Sequence, residues 1–101
     1  MQSNSIVVVT LHSPREKIWG LLLDLNAAGV TMRGLDLNAF NDWVNQVGSE
    51  EQCGLATTFY PLYRVERIAL DDPVGSIPSL AMTFHQQTSL TLVEYLAKIS
   101  S

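Results

Sequence analysis

The sequence predicts a β-rich α+β fold: a small five-stranded antiparallel barrel, with one helix inserted after the third strand and another near the C-terminal end. Three observations lead to this prediction. The segment 18–35 is a strongly apolar hairpin with a glycine inside its first strand. Short β-branched and aromatic runs, bounded by turn residues, precede and follow it. Two other segments, 38–47 and 91–99, repeat apolar residues at helical spacing instead.

The first three strands come from the N-terminal third of the chain. Residues 5–12 are dense in β-branched side chains and end at Ser13-Pro14, which favours a turn. Ile18–Leu25 and Val30–Leu35 are the two strands of the hairpin, joined by the turn-forming residues 26–29. Both faces of the first strand are mostly apolar, so we expect it to be covered on both sides.

Two positions in the hairpin have special roles. Gly20 has no side chain, so we expect the strand to bend there or to admit a close neighbouring backbone. Asp24 stands at the end of the second strand, and we expect its carboxylate to cap the backbone amides of the turn.

A helix and two further strands follow the hairpin. Apolar residues at positions i, i+3, i+4 and i+7 predict a helix over 38–47; they are Phe40, Trp43, Val44 and Val47. A polar loop over 49–53 leads to the fourth strand, 54–62, and then to the fifth, 63–70. Pro61 cannot donate a backbone hydrogen bond, so it marks a sheet edge or a sharp bend.

The C-terminal part of the chain is predicted to be helical. Asp71-Asp72-Pro73 forms a turn, and residues 78–85 form a short helical segment. Thr91 and Glu94 have the T-x-x-E spacing of a capping box, which predicts the start of a helix over 91–99. Because no repeat or linker divides the chain, we expect a single domain over 1–101, with the barrel in 5–70 and a helical extension in 76–101.

Composition and charge limit the function classes. The chain has 101 residues, of which 47% are hydrophobic and 16% are charged, whereas about 25% charged is usual. So much apolar surface favours self-association into a homo-oligomer. A net charge of −4, from six cations against ten carboxylates, disfavours a general affinity for nucleic acid. The sequence has neither a signal-peptide pattern nor an apolar run near about 20 residues, so we expect a cytoplasmic protein with no membrane partner.

No stretch carries a catalytic, metal-binding or cofactor-binding signature. The two histidines, His12 and His85, have no nucleophile motif around them, and the Asp71-Asp72 pair fits an ordinary turn. The lone Cys53 has no internal disulfide partner and no Cys/His spacing typical of zinc sites. We therefore expect no enzyme activity, no catalytic residue, no metal and no cofactor.

Several motifs resemble those of the Sm-like small barrels, which share the SH3-like strand arrangement. Ile18-Trp19-Gly20, followed by Asp24, is similar to the family's apolar–glycine–apolar run that ends in aspartate on strand two. The run 59–62, followed by Val65 and Ile68, resembles the crossing from strand four to strand five. The resemblance covers residues 6–70. It implies ring assembly by pairing of strands four and five, and binding of single-stranded RNA at the ring's pore.

The chain departs from the family pattern at both positions that would contact RNA. Ala27 and Ala28 stand where the family carries an aromatic residue or histidine followed by asparagine. After strand four, the family's Arg-Gly pair is replaced by the run 64–67, which has no glycine and has an acid between its arginines. The resemblance therefore implies that assembly is retained while the RNA site is lost.

The leading hypothesis is a non-enzymatic oligomerising or binding module with an Sm-like barrel. One alternative is a single-stranded RNA-binding Sm-like protein, and another is a small ligand-binding barrel or enzyme. The candidate binding or interface residues are polar or aromatic side chains near strands three to five: Arg33, Tyr63, Arg64, Val65, Glu66 and Arg67.

Overall fold

A computed structural model describes residues 4–48 and 54–100. In chain order, the elements are β1 (Ile6–Leu11), β2 (Glu16–Asn26), β3 (Gly29–Asp36), a 3₁₀ turn (Leu37–Ala39), α1 (Phe40–Gly48), β4 (Ala56–Pro61), a second 3₁₀ turn (Leu62–Arg64), β5 (Val65–Leu70), α2 (Leu80–Thr88) and α3 (Leu92–Ser100). The predicted loop 49–53, with Cys53, lies outside the described residues. The α+β class is confirmed.

The chain forms two compact units. The sheet unit comprises residues 1–39 and 55–70, and the helical unit comprises residues 40–54 and 71–101. The inserted helix and the C-terminal helices therefore belong to one unit, although the fourth and fifth strands separate them in sequence. The prediction of one domain over 1–101 stays a prediction.

The sheet unit contains one five-stranded sheet with the order β4-β3-β2-β1-β5 and antiparallel pairing throughout. The predicted hairpin is confirmed and is longer than expected, with Asn26 paired to Gly29 across a two-residue turn. The expectation for Asp24 is wrong, because the Ala28 amide donates to Asn26 Oδ1 at 2.8 Å. Asp24 instead accepts a hydrogen bond from Asn26 Nδ2 at 2.7 Å, which holds the capping side chain in place.

Gly20 permits the close backbone approach that the sequence predicted. It pairs with Gly34 of β3. A Cβ at position 20 would lie 2.2 Å from the Arg33 carbonyl oxygen and 2.5 Å from the Gly34 Cα. Both neighbours are backbone atoms, so no side-chain rotation could relieve the overlap. Only glycine fits this crossing of β2 and β3.

One face of the sheet carries the core of the sheet unit. Alternate residues of β1 and its neighbours form a buried cluster, as period-two spacing requires: Val7, Val9, Leu11, Ile18, Leu22, Val30 and Met32. Tyr60 of β4 and Val65 and Ile68 of β5 pack against the same cluster. The two edge strands therefore contact one core, and the sheet curls around it.

The path of β2 gives a second measure of this curl. A straight strand of its 11 residues would span about 36 Å at about 3.3 Å per residue. Yet the 3₁₀ turn after β4 bonds to the first residue of β2 and to the turn that follows its last residue: Arg64 bonds Glu16 at 3.0 Å, and the Leu62 amide donates to the Ala28 carbonyl at 3.0 Å. No ladder joins β4 to β5 among residues 4–48 and 54–100. The five-stranded antiparallel sheet is confirmed. Within the described residues it is not closed into a barrel, so the barrel stays a prediction.

A 3₁₀ turn separates strands four and five. The sequence instead predicted that strand five begins at the residue after strand four. Pro61 has φ −58° and ψ 144° and precedes the turn Leu62–Arg64. Its fixed φ suits the start of a helical turn, and its missing amide hydrogen ends the β4 ladder. The chain therefore takes one tight turn before it enters β5.

The helical unit packs around three aromatic rings. Trp43 of α1 stacks on Phe84 of α2, with ring centroids 5.1 Å apart and an interplanar angle of 15°. Tyr95 of α3 meets both rings edge-on, at 5.8 Å and 5.9 Å. Phe40, also of α1, packs beside Trp43 with ring centroids 6.3 Å apart. Each helix therefore supplies at least one ring to a single buried cluster, and stacked and T-shaped geometries are those that aromatic pairs prefer.

The starts of α2 and α3 are capped by side chains. The Asp71 carboxylate accepts hydrogen bonds from the Leu80 and Ala81 amides, both at 2.8 Å, and Ser79 Oγ accepts one from Met82. Asp71 is thus a helix cap, where the sequence suggested only a turn. The predicted capping box at α3 is confirmed, with reciprocal bonds between Thr91 and Glu94 at 3.1 and 3.2 Å. These bonds lower the pKa of Glu94 below its ordinary value of 4.5.

Candidate functional site

The predicted candidate residues all lie in the sheet unit, on three elements. Tyr63 and Arg64 are on the second 3₁₀ turn, Arg33 is on β3, and the run 65–67 begins β5. The structure does not bring them together as one site. Arg64, Arg33 and Val65 have structural contacts, whereas Tyr63, Glu66 and Arg67 are exposed.

Arg64 joins the second 3₁₀ turn to the turn between β1 and β2. Its Nη2 donates to Glu16 Oε1 and to the Pro14 carbonyl, both at 3.0 Å, and the His12 amide donates back to the Arg64 carbonyl at 2.9 Å. The Arg64 side chain is only 21% exposed in this arrangement. We call this set of bonds the Arg64 clamp, and it leaves the guanidinium largely occupied by the protein itself.

Val65 and Arg33 also contribute to the fold. Val65 pairs with Leu11 and packs on the buried cluster, and the register then shifts so that Arg67 pairs with Thr10. Glu66 is the extra residue of this β-bulge and points to solvent. Arg33 Nε donates to the Leu55 carbonyl at 3.4 Å, at the start of β4. The bulge could not be read from the sequence, because it depends on the partner strand.

An apolar surface lies along β4 and the turn after it, and the sequence reasoning identified only part of it. Phe59, Leu62 and Tyr63 are 49%, 44% and 78% exposed. The Phe59 ring lies over Gly29, because a Cβ there would lie 2.8 Å from Phe59 Cζ, and the backbone nitrogen of Leu62 is also close, at 3.1 Å from that position. We call these three residues the β4 edge surface. The alternation of the strand was the available signal, since Phe59 lies on the face opposite to Tyr60.

A polar cleft opens where β2 and β3 separate. It has a volume of about 340 Å³ and carries charged side chains of both signs; it is lined by Arg15, Glu16, Lys17, Asp36, Leu37 and Asn38. We call it the corner cleft. Sequence reasoning did not identify it, because its two walls are 20 residues apart in the chain and meet only through the hairpin pairing.

The phenol of Tyr60 lies in the field of the same charged groups. Burial raises the pKa of Tyr60 above its ordinary value of 10.0. A hydrogen bond with the Thr58 side chain and the charge of Arg64 oppose this shift, whereas the carboxylates of Glu16 and Asp36 add to it. The neutral phenol is therefore the form that the fold favours.

Two negative findings apply to residues 4–48 and 54–100. No group of three or more His, Cys, Asp or Glu side chains there is arranged to hold a metal ion. In the same part of the chain, no helix is both long and apolar enough to span a bilayer.

Comparison of the chain with protein-family models, with curated proteins and with solved structures finds no significant match. Function is therefore inferred from the two surface features of the sheet unit, the β4 edge surface and the corner cleft.

Proposed function

We propose that this protein is a non-enzymatic self-association module, built as a small barrel of the Sm-like kind, in which the β4 edge surface meets a second copy of the chain. One observation carries the proposal: an open edge strand without a charged residue continues into a turn that exposes Leu62 and Tyr63. An open edge presents unpaired backbone groups, and apolar side chains beside it add area to bury.

The two edges of the sheet differ in how well they are protected. Soluble proteins usually protect an edge strand with charges, bulges or proline. β5 has such protection only in its first half, where Glu66 and Arg67 are exposed, whereas residues 68–70 carry no charge. β4 contains only Ala, Thr, Phe, Tyr and a terminal Pro. The β4 edge is therefore the more open template for pairing.

A second copy supplies a matching partner for this edge. β5 is the opposite edge of the same sheet and is also six residues long. Its last residue, Leu70, is 48% exposed. Pairing of β4 with β5 of the next copy is a heterologous contact, which closes into a ring when the rotation allows it. The low charged fraction of 16% is in keeping with surface that becomes buried in such an assembly.

The RNA-binding alternative receives less support from the cations on which it depended. Arg64 is held in its clamp, and Arg33 bonds a backbone carbonyl. Of the three arginines proposed for it, Arg67 has no such bond within the described part of the chain. Of the cations on which this alternative was based, Arg67 alone therefore remains available, and one cation provides little of the phosphate neutralisation on which RNA affinity depends.

The native mass in solution tests the proposal. The wild type is measured by light scattering on the eluted peak, beside the double variant Phe59→Lys/Tyr63→Glu and the single variant Val74→Glu. We expect an assembly larger than a dimer for the wild type and a monomer for the double variant, because charges on the edge oppose pairing. Val74 is 71% exposed and belongs to the helical unit, so its variant should keep the wild-type mass.

A monomeric wild type at every concentration would contradict self-association. If the wild type is a dimer and the double variant is a monomer, the β4 edge is the interface but the copies do not form a ring. The reason is that a symmetric dimer pairs the same surface on both copies.

A further inference from the structure

The corner cleft is built by the end of a β-ladder. Ile18 and Asp36 form the last pair between β2 and β3. Beyond this pair, β3 continues into the 3₁₀ turn Leu37–Ala39, while β2 continues to Glu16 and pairs only with β1. The two chain segments therefore separate and leave a gap with polar walls. Its volume of about 340 Å³ is near the lower end of the roughly 300–1,000 Å³ typical of small-molecule pockets.

Both carboxylates of the cleft already have partners inside the protein. Glu16 Oε1 accepts the hydrogen bond of the Arg64 clamp at 3.0 Å. Asp36 Oδ1 accepts the Asn38 amide at 2.8 Å. Each carboxylate keeps its second oxygen as an acceptor that a ligand could use, since one oxygen suffices for the internal bond.

The two cations of the cleft are in the opposite situation. Neither the Arg15 nor the Lys17 side chain forms a hydrogen bond or ion pair within residues 4–48 and 54–100, and both are exposed. The cleft lining has two cations and two carboxylates, but Arg64 already neutralises Glu16, which leaves two unpaired cations against Asp36. The sheet unit as a whole has five cations against four carboxylates, a net charge of +1, whereas the whole chain has −4. The cleft is thus a locally cationic site in an acidic protein.

From these observations we infer that the corner cleft binds a small phosphate monoester that also carries hydroxyl groups. A phosphate monoester has about −1.5 to −2 charge at pH 7, which matches two cations better than the single charge of a carboxylate does. Arg15 and Lys17 bind the phosphate oxygens by charge-assisted hydrogen bonds. The ligand's hydroxyls donate to the remaining oxygens of Glu16 and Asp36. This site is independent of the proposed self-association, since none of its lining residues belongs to the β4 edge surface.

Nuclear magnetic resonance titrations of the full chain with three related probes test the inference. Glycerol 3-phosphate supplies phosphate and hydroxyls, glycerate replaces the phosphate with a carboxylate, and glycerol has no charge. We expect saturable amide shifts for glycerol 3-phosphate at residues 15–17 and 36–38, weaker binding of glycerate, and no shift with glycerol.

Variants assign the binding to the two cations. Arg15→Gln/Lys17→Gln should weaken binding of glycerol 3-phosphate by about tenfold or more, because two charge-assisted hydrogen bonds are lost. Arg67→Gln removes a cation outside the cleft lining, two strands from Lys17 with Thr10 between them, or about 10 Å at about 4.8 Å per strand. It should leave the affinity within about twofold, because salt weakens the attraction between exposed charges about one Debye length apart. Absence of saturable shifts, equal binding of glycerate, or unchanged binding by the double variant would each overturn the inference. The native mass is a separate readout, so failure here is distinguishable from failure of self-association.

Discussion

The sheet unit and the helical unit are stabilised in different ways. The sheet unit depends on contacts between residues far apart in sequence: the Gly20–Gly34 crossing, the core shared by both edge strands, and the Arg64 clamp. The helical unit depends on three stacked and edge-on rings and on side-chain caps at its helix starts. Sequence patterns describe local caps well, whereas long-range backbone crossings leave only a glycine as a signal.

The two units also differ in charge. The sheet unit has a net charge of +1, while the helical unit has one cation, Lys98, against six carboxylates, a net charge of −5. The overall value of −4 therefore conceals a cationic part. Both surface features with functional potential, the β4 edge surface and the corner cleft, lie in that part. Net charge taken over a whole chain is a poor guide to what one of its surfaces binds.

The largest expected effect is in the helical unit. Phe84→Ala removes a fully buried ring that contacts both Trp43 and Tyr95. We expect the free energy of unfolding to fall by roughly 3–5 kcal/mol, the usual cost of such a cavity. Urea denaturation followed by circular dichroism measures it. Met82→Ala, on the exposed side of the same helix, is the control; an equal loss in both variants would show that the aromatic cluster does not stabilise this unit.

The next effect tests the backbone crossing of the sheet unit. Gly20→Ala places a Cβ 2.2 Å from the Arg33 carbonyl oxygen, so β2 and β3 must move apart. We expect a loss of about 3 kcal/mol in the free energy of unfolding, at the upper end for overpacking. Gly75→Ala is the matched control: its Cβ has no neighbour within 4 Å, but φ is +59°, which costs about 1 kcal/mol. A smaller loss at Gly20 than at Gly75 would contradict the steric account.

Much of the fold could be predicted from the sequence. Dense β-branched and apolar runs bounded by turn residues identified β1 and the hairpin, and the T-x-x-E spacing identified the start of α3. The start of α2 was less clear, because one of its caps, Asp71, lies eight residues before Ser79 and reaches the helix only through the intervening loop. Caps within four residues leave a sequence signature, and distant caps do not.

The role of the candidate residues in binding stays a prediction. The structure shows only their surroundings: Tyr63 is exposed, whereas Arg64 forms the Arg64 clamp and Val65 packs on the core. The sequence pattern around a charged or branched strand residue is the same whether its side chain faces solvent or contacts a distant part of the chain. The cleft was missed for the same reason, since its walls are brought together only by strand pairing.

The smallest expected effect on stability comes from the Tyr60 phenol of the sheet unit and appears only at alkaline pH. Burial raises the pKa of Tyr60 in the folded state above its ordinary value of 10.0. The folded protein therefore holds a proton that the unfolded chain releases near pH 10. The resulting stability is fully present below pH 10 and is lost as the pH rises through the folded-state pKa.

Tyr60→Phe removes the titrating hydroxyl. The free energy of unfolding should therefore decrease less steeply with pH above pH 10 in this variant than in the wild type. Tyr63→Phe removes the same hydroxyl from a ring that is 78% exposed and is the matched comparison. Urea denaturation at a series of alkaline pH values measures the slope, and tyrosinate absorbance of the folded protein measures the ionisation directly. Equal slopes for the wild type and Tyr60→Phe would show that the fold does not raise the pKa of this phenol. A flatter slope in Tyr60→Phe alone would show that Tyr60 causes the alkaline loss of stability, because burial favours the neutral phenol and the carboxylates of Glu16 and Asp36 add to that effect.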